Sequence, residues 1–130
     1  MRLLLDTCAV IFFAENTGDL SPATMSVIAA SNSEVFVTVI SIAEIACAQE
    51  HGKLKIKLHW RLWWQETLRR NAWACLAITP EIMAEAFSLP LPIHRDPADR
   101  LIIATARVEH LTVVTTDRKI REYPHVPTIA

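Results

Sequence analysis

Glycine is nearly absent: the 130 residues hold two, Gly18 and Gly52. That scarcity removes both the G-x-G-x-x-G turn of dinucleotide sites and the Walker loop, which need glycine where backbone approaches phosphate. No serine lies in a G-x-S-x-G elbow. Cysteine is scarce and odd in number (Cys8, Cys47 and Cys75), with no short paired spacing. A disulfide framework or zinc site is therefore not expected, and a reducing cytoplasm is the simplest setting. Each cysteine sits in an apolar run and is expected to behave as a small buried hydrophobe. Net charge is −1, so no one-signed field points to nucleic acid or an anionic membrane. No apolar run approaches the roughly 20 residues of a membrane span. Asp6 interrupts any signal-like core directly after Leu3, Leu4 and Leu5. A soluble, cytoplasmic protein with no membrane partner is expected. What is plentiful is apolar: 52% hydrophobic residues against 21% charged. That suits one domain over residues 1–130, with some apolar surface left for a partner.

Taken in order, Leu3 to Leu5 is a short continuous apolar run, the pattern of a central parallel strand buried on both faces. A short helix is expected from Cys8 to Ala14, and a second from Thr24 to Ala30 behind a Ser21 N-cap and Pro22. Glu34 to Ile40 is β-branched and apolar and predicts a strand. Ser41 followed by Glu44 is a capping-box signature at the start of a helix that stops near Gly52. Lys53 to Arg70 predicts another helix, with Trp60, Trp63 and Trp64 covering more than one of its faces. Core packing and an exposed aromatic patch facing a protein partner are both open for these rings. A strand over Trp73 to Ile78 follows, then a helix from Thr79 to about Ser88. The connector Leu89 to Pro92 leads to His94 and to a helix from Pro97 to about Glu109. A strand over Leu111 to Thr115, a short helix through Arg121 and a last strand near Val126 to Ile129 close the chain. Strands and helices in this alternation imply an α/β fold with a parallel sheet and helices on both faces.

Acids mark the strand ends. Asp6 ends the first strand, Glu44 follows the second, Asp99 opens a long helix and Asp117 follows the fourth strand. In a parallel sheet with right-handed crossovers the C-terminal strand ends share one rim. Asp6, Glu44 and Asp117 should therefore meet there; Asp99 follows no strand directly, so topology alone does not bring it to the rim, and its place depends on the path of the proline-rich connector. Two of these acids also have a purely structural use. Asp96, Pro97 and Asp99 suit N-cap, N1 and N3 of one helix, and on spacing alone a capping role for Glu44 is favoured. Several carboxylates gathered together repel unless a cation is present, and hard Mg²⁺ or Mn²⁺ with oxygen ligands is the natural one. Such a site suits metal-assisted phosphodiester hydrolysis. A strand-end aspartate can also be a phosphatase nucleophile. A haloacid-dehalogenase-type phosphatase wants a second aspartate two residues on, where this chain has Cys8. His94 is a candidate for substrate contact, though a lone histidine is more often structural.

Leu3-Leu4-Leu5-Asp6-Thr7, Ser41-Ile42-Ala43-Glu44, Gly52-Lys53-Leu54, the stretch His94 to Arg100 and Val114-Thr115-Thr116-Asp117 occur in an order and spacing that resembles the PIN-domain nucleases. Within these, the chain is most similar to the VapC-type toxins of toxin–antitoxin pairs, from first strand to last. The resemblance implies a three-layer α/β/α sandwich and a Mg²⁺- or Mn²⁺-dependent endoribonuclease that cuts single-stranded regions of RNA, leaving a 3′-hydroxyl and a 5′-phosphate. It carries the family's acidic quartet onto Asp6, Glu44, Asp99 and Asp117, with Asp6 and Asp99 as direct metal ligands. Glu44 and Asp117 complete the shell or orient waters. Thr7, Ser41 and Thr116 are candidate supporting hydroxyls. It also implies a homodimer and a cognate VapB-type antitoxin that covers an apolar groove and blocks the acids. Two positions depart from the family pattern: Cys8 stands where histidine is frequent, and Ala98 where a bulky aromatic is usual.

Arg95, Arg100, Arg118 and Arg121 neighbour the acids in sequence and suit either RNA phosphates or pairing with those acids. Two other functions remain open: a non-catalytic PIN-like module that binds RNA or protein, and a housekeeping RNA-processing or DNA-directed nuclease with the same site. Retention of all four acids argues against a pure binder, which has no use for their repulsion.

Overall fold

Leu3, Leu4 and Leu5 are all fully buried, and they sort by face. Leu3 and Leu5 join one apolar cluster and Leu4 joins another on the opposite side. A strand whose successive side chains enter two different cores must lie mid-sheet, between two layers of helices. The computed structural model describes residues 1–92 and 95–130. It has a parallel five-stranded sheet in the order β3-β2-β1-β4-β5. The strands are β1 Arg2–Leu5, β2 Glu34–Thr38, β3 Ala74–Leu76, β4 Thr112–Val114 and β5 Thr128–Ile129.

The helices are α1 Thr7–Ala14, α2 Pro22–Ala29, α3 Val39–Glu50, α4 Trp60–Asn71, α5 Pro80–Ala86, α6 Pro97–Glu109 and α7 Arg118–Arg121. Side chains of α1 to α4 build the core on the Leu3 and Leu5 face. On the other face Ile102, Ile103 and Ala106 of α6 and Ile120 of α7 pack with Leu4 and Val113. There α5 adds Ile82 and Ala86 against Leu101 and Ala104 of α6. The arrangement is the expected α/β/α sandwich. The proline signals hold: Ser21, Thr79 and Asp96 each accept the N-cap hydrogen bond ahead of a proline at the first turn.

Several boundaries differ from the sequence expectation: the third strand, expected over Trp73 to Ile78, is limited to Ala74–Leu76, and the last, expected from near Val126, starts at Thr128. The strand expected to run to Ile40 stops at Thr38, which becomes the N-cap of α3. Ile40 instead packs between the α5 and α6 cores, so tertiary contact overrides its β propensity. Ser41 and Glu44 therefore lie inside α3 and form no capping box. The helix expected from Lys53 starts at Trp60, with His59 as its N-cap. Lys53, Lys55 and Lys57 are exposed while Leu54 and Ile56 between them pack on the core, an alternation of period two that suits extended chain. The tryptophans are core: Trp63 and Trp64 are buried and Trp60 packs against them, leaving Leu58 and Leu62 as the exposed apolar residues there.

Candidate active site at the C-terminal edge of the sheet

The chain builds β1, β2 and β3 outward in one direction, then crosses back to place β4 on the other side of β1. At such a reversal the loops leaving the two strands part, and the crevice beyond their carboxyl ends is the natural ligand site of an open α/β sheet. Asp6 leaves β1 at that point and Thr115, Thr116 and Asp117 leave β4. The Asp6 N–H donates to the Val114 carbonyl at 3.1 Å, which ties the two strand ends together.

Asp6 passes directly from strand to helix as the N-cap of α1, its Oδ1 accepting from the Ala9 N–H at 2.8 Å. It is 6% exposed. Burial lifts its carboxyl above the ordinary range, against the pull of the Thr115 hydroxyl and the Ala9 N–H, and the nearby charges of Asp117 and Glu44 lift it further. Thr115 is fully buried and its hydroxyl also accepts from the Asp117 N–H at 3.0 Å. This hydroxyl thus orders both the Asp6 carboxylate and the turn that carries Asp117. Sequence reasoning singled out Thr116 and passed over Thr115; the usable signal was that Thr115 follows β4 directly, opposite the end of β1 in the register.

The first turn of α1 meets the first turns of α3. Thr7 Oγ1 donates to Glu44 Oε1 at 2.5 Å and lies 2.8 Å from Ser41 Oγ. Because the single Thr7 hydrogen goes to the carboxylate, Ser41 must be the donor to Thr7. The order Ser41 to Thr7 to Glu44 is a directional chain, and it fixes where one Glu44 oxygen points. Ser41 is completely buried, so this bond is its way of keeping a buried hydroxyl satisfied.

Asp99 occupies the first turn of α6, where its backbone N–H donates to the Asp96 side chain at 3.1 Å. Its own carboxyl is pushed up to about 7, by burial first and then by the charges of Asp96, Asp117, Glu44 and Asp6. Asp117 caps α7, accepting from the Lys119 N–H at 2.8 Å. Asp6, Thr7, Cys8, Glu44, Asp99, Thr116 and Asp117 together line one cavity of about 270 Å³. All four acids picked from strand and helix ends are therefore neighbours. Ser41 stands behind the wall, through Thr7.

The donor set can be tested against a metal ion. The lining offers carboxylate and hydroxyl oxygens and, among the described residues, no lysine, arginine or histidine to offset the charge. Among those residues no three carboxylates, thiols or imidazoles are already drawn together as a fully protein-ligated metal would need. Mg²⁺ needs no such cage: it takes one or two carboxylates and completes its octahedron with water and substrate oxygens. An open pocket of hard oxygen donors with lifted carboxyls fits that ion. Cys8 is a soft donor in the same wall, with its thiol pushed up to about 11 by burial and by the four acids. A thiol that holds its proton so firmly is a poor metal ligand.

Larger cavities lie elsewhere. One of about 650 Å³ opens near the opposite edge of the sheet, where Arg107 is paired with Glu85 at 2.9 Å and donates to the His125 carbonyl at 2.7 Å. It gathers no comparable set of acids.

A PIN domain family model matches residues 3–126. The chain belongs to the PIN domain family. This PIN domain is 32% identical over 123 residues to "Ribonuclease VapC22" of Mycobacterium tuberculosis, across 95% of this chain and 92% of that protein. Its fold is similar to the solved structure of VapBC2 from Rickettsia felis bound to a promoter DNA fragment, with TM-score 0.71, 20% identity, and 99% and 98% of the two chains covered. It is also similar to FitAcB from Neisseria gonorrhoeae, with TM-score 0.64, 20% identity, and 98% and 96% covered.

Other expectations for this PIN domain fall out as follows. His94 lies outside the described residues. Cys8, Cys47 and Cys75 are surface residues rather than the buried hydrophobes expected; Cys8 lies in the wall of the acid cavity, where its thiol is partly shielded from water. Arg118 pairs with Glu122 at 2.6 Å on the next turn of its own helix. The Arg100 guanidinium lies over the Phe87 ring, 5.5 Å from its centroid. Among the described residues, no helix is long and apolar enough to cross a membrane.

Proposed function

We propose that the chain is a metal-dependent endoribonuclease, the toxin of a toxin–antitoxin pair, acting as a single cytoplasmic PIN domain over residues 1–130. The observation that carries this reading is the convergence of Asp6, Glu44, Asp99 and Asp117 on one cavity at the switch point of the sheet. Bound Mg²⁺ or Mn²⁺ would mask the phosphate charge and activate a water for in-line attack. Asp6 and Asp99 would hold the ion directly. Glu44, aimed by Thr7 and Ser41, and Asp117, held by Thr115, would complete the shell and orient waters. The name of the Mycobacterium tuberculosis relative supports RNA as substrate. The solved toxin–antitoxin complexes of similar fold support an antitoxin protein as partner, and a homodimer follows from the family resemblance.

Fixed oxygen ligands and, among the described residues, an absence of cations in the wall favour chemistry over mere binding, because a binder gains nothing from adjacent like charges. Asp6→Asn and Asp99→Asn are each expected to abolish Mg²⁺-dependent cleavage of RNA while circular dichroism shows the parental fold. Full activity in either folded variant would refute the assignment.

A further inference from the structure

Side chains alternate along β1, and the alternation carries one step past its end. Leu4 faces the core that contains α6 and α7, so Asp6, two residues on, falls on that same face. The flanking strands keep the pattern. Phe36 of β2 and Val113 of β4 share the Leu4 core, which puts Thr38 and Thr115, two residues beyond them, on the Asp6 face. Leu4 is paired with both Phe36 and Val113. The same register sets Asp6 between Thr38 on one side and Thr115 on the other, on strands about 4.8 Å apart. The ladder persists this far: Thr38 is paired with Leu76 of β3, and the N–H groups of Asp6 and Thr115 donate to the Val114 and Ile129 carbonyls. A row of three oxygen-bearing side chains thus crosses the rim of the sheet, with a cavity acid in the middle.

The two threonines are fully buried but differ in their bonding. The Thr115 hydroxyl is bonded to Asp6 and accepts from the Asp117 N–H. The Thr38 hydroxyl makes no cap bond to α3 and, among the described residues, has no partner. Valine would fill the same space without a polar atom to desolvate. A buried hydroxyl kept there without a partner is explained by one gained in another state of the site. Asp6 is the acceptor on the next strand. An ionised carboxylate has about four lone-pair sites. The Ala9 N–H and the Thr115 hydroxyl take two, a bound cation takes a third, and one is left for a donor from the β2 side.

We propose that Thr38 is a positioning residue of the metal site, its hydroxyl donating to the Asp6 carboxylate when that carboxylate holds the divalent ion. The proposal rests on the metal-dependent reading of the acid cavity and adds a residue to it. Thr115 and Thr38 then fix the carboxylate from both neighbouring strands, as hydrogen bonds behind a ligand commonly do. The metal-free chain carries the unpartnered hydroxyl as a cost, and the loaded chain recovers it in affinity.

The test uses the full chain with no RNA present. Mn²⁺ binding is followed by loss of the free-ion electron paramagnetic resonance signal, and the fold by circular dichroism melts in EDTA. Thr38→Val, matched in shape, is expected to weaken Mn²⁺ binding about 10-fold or more while melting in EDTA no lower than the parent. Thr38→Ser keeps the hydroxyl and should bind within about threefold of the parent. In Mg²⁺-loaded protein the carboxyl carbon resonance of Asp6 should move on Thr38→Val, with those of Asp99 and Asp117 in place. Parental affinity in folded Thr38→Val overturns the proposal. So does an equal loss in Thr38→Ser, which would assign the effect to packing, or a lower melting temperature of Thr38→Val in EDTA, which would show the hydroxyl already partnered without metal. A response at Asp99 or Asp117 with Asp6 unmoved assigns the hydroxyl to another acid and overturns it too. A parent that binds neither Mn²⁺ nor Mg²⁺ refutes the metal site itself, a separate failure that the parent alone reveals.

Discussion

Replacing Asp99 by asparagine should make the metal-free protein more stable and the metal-bound protein less able to benefit. The Asp99 carboxyl is lifted from 3.8 to about 7, with burial and then four neighbouring acids as the causes. Its native form thus holds a proton up to near neutrality, whereas the unfolded chain releases it near pH 4. Between these values the folded state binds more protons, so stability falls as pH rises through this window and stays low above it. Taken at face value the lift is about 4 kcal/mol. The side chain is only half-buried, and solvent and salt screening reduce the figure to about 1–2 kcal/mol. Asp99→Asn removes the charge and with it this cost, so in EDTA at pH 8 the variant should melt about 3–8 °C above the parent. At pH 4, where the parent is already protonated, the two should converge. Saturating Mg²⁺ should reverse the order at pH 8, because about 100-fold excess over Kd stabilises the parent by about 2.7 kcal/mol and the variant by much less. Thermal melts by circular dichroism at both pH values, in EDTA and in Mg²⁺, measure all four arms. A variant that melts below the parent in EDTA at pH 8, or an equal gain from Mg²⁺ in both proteins, would refute the account of the acid cluster.

Three further outcomes follow from the same contacts. Thr7→Val cuts the chain from Ser41 to Glu44, and should lower metal affinity or kcat by about 10–100-fold; RNA cleavage at parental rate would show that Glu44 needs no such guide. Thr38 is fully buried at the start of α3, its hydroxyl has no partner and makes no cap bond. Thr38→Val should therefore raise stability by about 1 kcal/mol in urea unfolding, and a loss of stability would contradict that reading. Leu4→Ala opens a cavity where β1 meets α6 and should cost about 2–5 kcal/mol in the same assay; a cost under about 1 kcal/mol would mean the core had collapsed to fill it.

Much of the architecture was legible because its signals are local. Leu3 to Leu5 announced a strand buried on both faces, and the Ser-Pro, Thr-Pro and Asp-Pro pairs announced three helix starts. Asp6, Glu44 and Asp117 were legible for a topological reason: parallel strands put their C-terminal ends on one rim, so carboxylates there meet without any contact prediction. Asp99 opens a helix that follows another helix, and the family resemblance rather than topology carried it to the same rim. What was hidden depends on tertiary contacts. Val39 and Ile40 read as strand, yet the packing of Ile40 on α5 and α6 draws them into helix. That shift of helix start turned Ser41 and Glu44 from a supposed cap into a pair facing Thr7. Asp6 carried two roles at once, N-cap and cavity acid, because α1 follows β1 without a loop. The alternation from Lys53 to Leu58 was readable as extended chain, but the tryptophans after it suggested one longer helix.

The central claim is that four converging carboxylates hold a metal that cuts RNA. It is tested most directly by incubating the purified protein, free of any antitoxin, with total RNA in EDTA, Mg²⁺ or Mn²⁺ and sequencing the new ends. The account predicts defined internal cuts that leave 5′-phosphates, present with either metal and absent in EDTA. Cleavage that persists in EDTA, or folded protein that cuts no RNA with either ion, would contradict it.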